Sequence, residues 1–256
     1  MSPVTWGAVR LVERSAMVYR RTWLILVSGF AEPLLYLLSI RLGLGQLVGE
    51  VDVGGGRTVS YSAFVAPALM ASAAMNGAVY DSTFNIYFKL RHAKTYDAAL
   101  ATPLTSNDVA FGEIAWAMLR GLLYATAFAA TIAAMGLAES WWLLAAVPAS
   151  LLISLAFATM GMAATTYMRS WVDFEWVGAV TMPIFLFSAT FFPVSSYGSW
   201  GWLVNLSPLY HGVELIRAAH HGHWDATLPL HAGVLVLLAV AAARVVERRL
   251  HRILVV

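Results

Sequence analysis

The chain contains no cysteine, and Lys89 and Lys94 are the only lysines among its 256 residues. Without cysteine it can form neither disulfide bonds nor thiolate metal sites. Neither lysine stands in a G-x-x-x-x-G-K-[ST] motif, so the sequence has no phosphate-binding P-loop of its own. If ATP drives its function, the ATPase must be another chain.

Charged residues are also scarce, at 12% against roughly 25% in an ordinary soluble domain, while 60% of the chain is hydrophobic. A helix needs about 20 apolar residues to cross the hydrocarbon core of a bilayer. The apolar runs do not alternate as barrel strands would. We therefore predict one all-α integral membrane domain over residues 1–256. Its six predicted spans are Trp23–Leu42, Ser62–Tyr87, Phe111–Gly136, Trp142–Tyr167, Trp176–Pro193 and Pro229–Val246.

The N-terminal segment, residues 1–22, has no apolar core before its arginines, so we expect no cleavable signal peptide. Apolar residues recur there at three- and four-residue spacing, with Arg10 and Arg14 on another face. This pattern is typical of an amphipathic helix that lies on the membrane surface. The alternative interpretation is an ordinary basic flank before the first span.

Basic residues fall mostly on one side of the predicted topology. If the N-terminus is cytoplasmic, three basic residues lie outside, Arg120 lies within the third span, and twelve lie inside, including those of the tail at 247–256. Such a bias predicts that both termini are cytoplasmic in a multi-pass protein of the cytoplasmic membrane. No nucleic-acid motif accompanies these basic residues, so we expect contact with membrane lipids and none with nucleic acid.

The two larger outer segments differ in composition. The loop "GEVDVGGGRTVS" is glycine-rich and is predicted to be flexible. Residues 193–228 mix turns with short apolar patches and a helix-like run, which favours re-entrant helices between spans five and six. This segment contains the polar and aromatic residues Trp200, Trp202, His211, Glu214 and Arg217.

Ionisable residues inside a span are costly and therefore carry a functional hypothesis. Glu32 and Arg120 lie deepest, Glu113 lies two turns before Arg120, and Asp81 occupies the inner half of the second span. One interpretation is a Glu32–Arg120 pair that fixes helix packing, and we favour it. The other is that these residues line a cargo route and hold a polar head group.

Histidines cluster near the C-terminus, but "HHGHW" lacks a carboxylate at a recognised spacing. We predict no metal site, no cofactor bound by this chain and no catalytic residue. The tryptophans, including Trp200 and Trp202, suit an interfacial belt, with sugar stacking as the narrower alternative. Two other functions stay open: a membrane transferase using His211 and Glu214, and a channel or secondary transporter.

Four passages carry a resemblance to a known family: "EPLLYLLSIRLGLG", "KTYDAALATPLTSNDVAFGEIAWAMLRG", "SATFFPVSSYGSW" and "LSPLYHGVELIRA". In this order they resemble the ABC-2 permeases of ATP-binding cassette exporters, including the nodulation protein J and daunorubicin-resistance membrane subunits. The resemblance implies a transport subunit without its own ATPase site. It implies pairing with a second permease copy, identical or related, and docking on two nucleotide-binding subunits that hold ATP and Mg²⁺. The implied cargo is amphipathic: a lipid-linked saccharide, a glycolipid or a hydrophobic drug.

The resemblance also implies that a cytoplasmic coupling helix follows the second span. We expect it at about residues 90–101, where Pro103 would end it. The residues of this stretch expected to couple to the ATPase are Leu90, Arg91, Lys94, Tyr96, Asp97 and Leu100. Thr105 and Asp108 then predict an N-cap for the third span. A basic cytoplasmic loop is the alternative interpretation.

Overall fold

The computed structural model describes residues 3–21, 24, 31, 34–52 and 58–254, and these are mostly helical. The elements, in chain order, are α1 (Pro3–Arg21), α2 (Leu34–Val48), β1 (Glu50–Asp52), β2 (Thr58–Ser60), α3 (Tyr61–His92), α4 (Thr95–Leu100), α5 (Ser106–Ala134), α6 (Ala146–Thr165), α7 (Phe174–Leu186), α8 (Gly201–Leu206), α9 (Pro208–His221) and α10 (Leu228–Leu254).

Four of these helices are long and apolar enough to cross a membrane: α3, α5, α6 with its preceding 3₁₀ turn, and α10. The predicted fifth span, Trp176–Pro193, is not one long helix. Its helix α7 has 13 residues, which at 1.5 Å each reach about 20 Å. The predicted first span falls partly outside the described residues, and its described part is the short apolar helix α2. Six spans are therefore not confirmed.

Helix α3 is the centre of the bundle, because 94% of its most apolar stretch is buried against other helices. Its residues from Tyr61 to Tyr80 are rich in alanine, which lets α5, α6 and α9 approach closely. Close packing extends to α5 and α6, where a Cβ added at Gly121 would overlap the Ser154 side chain. The main hydrophobic core therefore surrounds α3.

The contacts define two ends of the bundle. At one end the C-terminal part of α10 meets the end of α6, where Arg249 Nε donates to Thr166 Oγ1 at 3.1 Å. We call this the basic end. At the other end the Tyr61 hydroxyl donates to the Phe191 carbonyl at 3.3 Å, beside the strands β1 and β2. We call this the hairpin end.

The predicted flexible outer loop begins and ends as an antiparallel strand pair, with Glu50 opposite Ser60 and Asp52 opposite Thr58. Residues 53–57 lie outside the described residues. Val51 of "EVD" lies opposite Val59 of "TVS". Both are β-branched residues, which favour strands. The two ends of the loop thus have regular structure, and its flexibility stays a prediction.

The predicted coupling helix is broken in two. Helix α3 continues through two π-helical turns, Asp81–Asn85 and Phe88–His92, so Leu90 and Arg91 belong to its end. Lys94 then adopts a left-handed conformation (φ 46°), and α4 starts at Thr95. A left-handed residue cannot continue a right-handed helix, which explains the break. The prediction of one helix over 90–101 was wrong in its boundaries.

Other predicted elements are present. The N-terminal helix forms over Pro3–Arg21, and Thr105 with Asp108 makes a reciprocal capping box at the start of α5, as predicted. The segment 193–228 holds a 3₁₀ stretch, Val194–Trp200, followed by α8 and α9. Residues 247–254, predicted as a tail, continue α10. Where α1, α8 and α9 lie relative to the bilayer stays a prediction.

Candidate functional site

A buried ion pair joins helices α3 and α5. Arg120 Nη1 of α5 lies 2.6 Å from Asp81 Oδ1 in the first π-helical turn of α3. Both side chains are almost fully buried, at 4% and 1% exposure. A buried charge is tolerated when it is paired and hydrogen-bonded, so each of these residues needs the other.

Tyr19 brings the N-terminal helix α1 into the same cluster. Its hydroxyl donates to Asp81 Oδ1 at 3.0 Å and accepts from Arg120 Nη1 at 3.1 Å. Tyr124 accepts from Arg120 Nη2 at 2.8 Å, and Asn85 Nδ2 donates to Asp81 Oδ1 at 3.1 Å. Burial raises the pKa of the Tyr19 hydroxyl, which keeps it a neutral donor. One buried network thus ties α1, α3 and α5 together.

The favoured interpretation of Arg120 as a packing residue agrees with this geometry, although its acidic partner in the structure is Asp81. Glu32 lies outside the described residues. None of Asp81, Glu113 and Arg120 lines the cavity described below, and their place on a cargo route stays a prediction. Sequence reasoning missed Tyr19 and Tyr124, because a tyrosine in an apolar helix carries no signal of an ionic partner.

A second ion pair lies nearer the basic end. Lys89 Nζ is 2.8 Å from both carboxylate oxygens of Glu113, and their side chains are 14% and 2% exposed. Glu113 was predicted to share a face with Arg120, but its partner is Lys89, in the second π-helical turn of α3. A buried acid needs a cation, but spacing in the sequence did not identify Lys89 as that cation.

The short helix α4 is anchored by its tyrosine. Tyr96 is fully buried in a hydrophobic cluster with Leu11 of α1, Ile86 of α3 and Val109 of α5. Lys94 and Asp97 are exposed, while Leu90 and Leu100 are partly buried. Among the predicted coupling residues, Tyr96 thus faces its own chain, and Arg91, Lys94 and Asp97 offer the exposed charges. Arg91 also donates to the Met168 carbonyl at 3.4 Å.

The hairpin end contains a cavity of about 780 Å³. Its wall includes Phe64 of α3, Ser195, and Tyr210, Glu214 and Arg217 of α9. Further polar lining comes from Asp52, His221, His223, Asp225 and Thr227. Trp200 and Trp202 are exposed and do not line it, so the structure does not place them for stacking on a molecule inside.

Arg217 is buried in the cavity wall. Its Nη1 lies 3.0 Å from Glu214 Oε1, its Nη2 donates to the Ala189 carbonyl at 2.5 Å, and its guanidinium lies 4.2 Å from the centre of the Phe64 ring. Burial lowers the pKa of this guanidinium, but arginine stays charged at any physiological pH. This wall therefore presents a fixed charge pair beside an aromatic ring.

His211 and Glu214, the acid–base pair required by a transferase, have different hydrogen-bond partners. His211 Nε2 lies 3.1 Å from the Asn205 carbonyl, and its Nδ1 lies 2.8 Å from His231 Nδ1. Because Nε2 must donate to a carbonyl, Nδ1 accepts from His231. Burial lowers the pKa of His211, which favours the neutral ring this arrangement needs. No hydrogen bond joins His211 to Glu214 among these contacts.

A third polar group of the hairpin end consists of Glu139, His220 and His221. Each side chain has one nitrogen or oxygen atom of a kind that can bind a metal ion, and these three atoms lie within 4.8 Å of one another. Sequence reasoning found no carboxylate near "HHGHW", because Glu139 lies 82 residues before His221 in the chain. The fold brings the Glu139 carboxylate next to these two histidines.

Comparison with known proteins places this architecture in a family. The profile of the family described as "ABC-2 type transporter" matches residues 8–220. Several relatives carry the name Nodulation protein J. The protein of Rhizobium meliloti (strain 1021) is 30% identical over 92% of this chain and 89% of its own length. The protein of Rhizobium leguminosarum bv. viciae is 31% identical over 97% of this chain and 96% of its own length. The protein of Neorhizobium galegae is 33% identical over 84% of this chain and 81% of its own length.

Proposed function

The chain belongs to the ABC-2 type transporter family, and on that premise we propose that this ABC transporter membrane subunit is part of an ATP-driven exporter. The cargo is amphipathic: a lipid-linked saccharide, a glycolipid or a hydrophobic drug. Mostly apolar helices and the polar-walled cavity at the hairpin end support a cargo with both characters. The proposed location is the cytoplasmic membrane, with both termini and the basic end in the cytoplasm.

The proposed energy source is a separate nucleotide-binding subunit. The chain has no P-loop, so ATP and Mg²⁺ would bind to that subunit, two copies of which serve two permease copies. The second permease is a copy of this chain or a related one. Closure of the ATPase pair on ATP would move α4 and α1 at the basic end, and that movement would open a path between the two permeases.

The single observation that carries this proposal is the rigid connection of α4 to the bundle. Tyr96 is buried in the same hydrophobic cluster as residues of α1, α3, α5 and α10. Beside it, Lys89 of α3 and Glu113 of α5 are paired. A force applied to the exposed face of α4 would therefore move packed helices as a unit, because close-packed side chains transmit displacement.

The experiment co-expresses the chain with a candidate ATPase subunit and measures co-purification and ATP hydrolysis in detergent. Asp97→Lys reverses an exposed charge on α4, and we expect it to lower both readouts strongly. Glu50→Lys makes the same charge reversal at an exposed position of the hairpin end that does not line the cavity, and it should leave both readouts unchanged. Equal co-purification and hydrolysis for the Asp97 variant and the unaltered chain would contradict the coupling role of α4.

Transport itself is tested in proteoliposomes with a fluorescent lipid-linked saccharide. Export requires ATP on the side of the basic end, and a variant ATPase that cannot hydrolyse ATP should abolish it. Transport that needs an ion gradient and no ATP would favour the secondary transporter instead.

A further inference from the structure

The cluster of Glu139, His220 and His221 has the composition of a metal site. Two imidazoles and one carboxylate form a ligand set used for zinc with water in the remaining position. The three side chains come from two parts of the chain, namely the segment between α5 and α6 and the last turn of α9. The transport role assigns no task to these residues.

His220 uses only one of its two ring nitrogens in a hydrogen bond among the described residues. Its ring is fully buried, and Nε2 lies 2.9 Å from the carbonyl of Leu137. A carbonyl only accepts, so Nε2 carries the proton and Nδ1 carries the lone pair. This Nδ1 is buried and has no hydrogen-bond partner among the described residues. Metal-binding histidines typically have this arrangement, with the second nitrogen donating to a carbonyl or carboxylate.

The unprotonated Nδ1 of His220 can bind a cation through its lone pair. A buried nitrogen without a hydrogen-bond partner costs free energy, and a bound ion would remove that cost.

His221 and Glu139 complete the set. His221 Nδ1 lies 2.7 Å from Glu139 Oε2. An ion between them would displace the shared proton, and His221 would carry its proton on Nε2 instead. Tetrahedral zinc ligands are about 3.4 Å apart, and no two of these ligand atoms lie more than 4.8 Å apart, so binding needs shifts of roughly 1.5 Å at most. The Glu139 side chain is partly exposed, which leaves it room to move.

The surrounding backbone fixes the two segments against each other. Gly222, which ends α9 in a left-handed conformation (φ 67°), is so close to Ser140 that an added Cβ would lie 2.8 Å from its Oγ. Ser140 in turn caps the helical turn that leads into α6. His221 also lines the cavity of the hairpin end, which gives ions a route from solvent.

We propose that Glu139, His220 and His221 form a binding site for a divalent transition metal ion, with zinc as the ion that best fits two imidazoles and a carboxylate. The ion links the end of α9 to the segment before α6. This inference does not depend on the proposed transport function.

The test is isothermal titration of Zn²⁺ into the purified full-length chain in detergent, prepared without a polyhistidine tag. We expect a single saturable site. Glu139→Gln and His220→Ala should each weaken binding roughly tenfold or more. His251→Ala changes an exposed histidine at the basic end and should leave the affinity unchanged.

Glu139→Gln keeps the size of the side chain and its ability to accept a hydrogen bond, so it reports on binding even if His220→Ala fails to fold. Absence of saturable Zn²⁺ binding overturns the proposal. Binding that survives both changes and is lost in His211→Ala also overturns it, because the ion would then sit at the His211–His231 pair.

Discussion

The two ends of the bundle use their charges differently. Between the middle of the bundle and the basic end, Asp81 pairs with Arg120 and Lys89 with Glu113, and each pair joins α3 to α5. At the hairpin end, Glu214 and Arg217 pair within one helix beside a large cavity. Pairs between helices fix relative positions, whereas the Glu214–Arg217 pair adds no ionic link between helices. The difference suits the proposed role of the basic end in coupling.

Replacing Arg120 by alanine should have the largest effect. It leaves the Asp81 carboxylate buried without its cation, which costs about 3 to 5 kcal/mol when one partner of a buried pair is removed. The measurement is the free energy of unfolding, or the thermal midpoint, in detergent. The double variant Asp81→Asn with Arg120→Met should recover most of the loss, since no charge then remains buried. No recovery would show that the pair itself is not the source of the effect.

Replacing Lys89 by methionine should cost less, about 2 kcal/mol, because Lys89 is partly exposed and water can reach the site. Adding Glu113→Gln should restore most of the stability. Lys94→Met is the matched control, since Lys94 is exposed and forms no ion pair with any residue that the structure describes. A similar loss in both lysine variants would refute the difference between them.

Replacing Thr105 by alanine removes the side-chain cap of α5 at the basic end. Its Oγ1 accepts from the Asp108 amide at 3.2 Å, and the loss of such a cap costs about 1 kcal/mol. Thr126→Ala is the control, because that hydroxyl bonds only to carbonyls of its own helix. Hydrogen exchange of the first turn of α5 should rise in the Thr105 variant alone.

Replacing Glu214 by glutamine should have the smallest effect on stability, below about 1 kcal/mol, because Glu214 is 30% exposed and pairs within its helix. Arg217 would keep the Ala189 carbonyl and the Phe64 ring as partners. A loss as large as that of Arg120→Ala would abolish the contrast between the two ends.

The sequence predicted the features that depend on neighbouring residues. The apolar runs predicted long helices, and the Thr105–Asp108 cap was confirmed because it needs only residues three apart. The family resemblance was confirmed by the comparisons. Lys94 shows the limit of local reasoning, since no signal in "HAKTY" marks a lysine for the left-handed region.

The sequence did not predict which polar residues pair when they are far apart along the chain. Arg120 and Asp81 are 39 residues apart, and His221 and Glu139 are 82 apart. Which acid faces which base depends on the rotation of each helix about its axis. Here the π-helical turn at Asp81–Asn85 also changes that rotation, because it inserts an extra residue into the turn.

The contrast between the two lysines has a practical consequence for chemical labelling. Lys89 is held against Glu113, while Lys94 is exposed at the start of α4. An amine-reactive fluorophore should therefore modify Lys94 in preference to Lys89. Because the chain contains no cysteine, a thiol introduced at the hairpin end would accept a second dye selectively. With that one introduced cysteine, the chain is suited to measuring, by energy transfer, the distance between the two ends of the bundle.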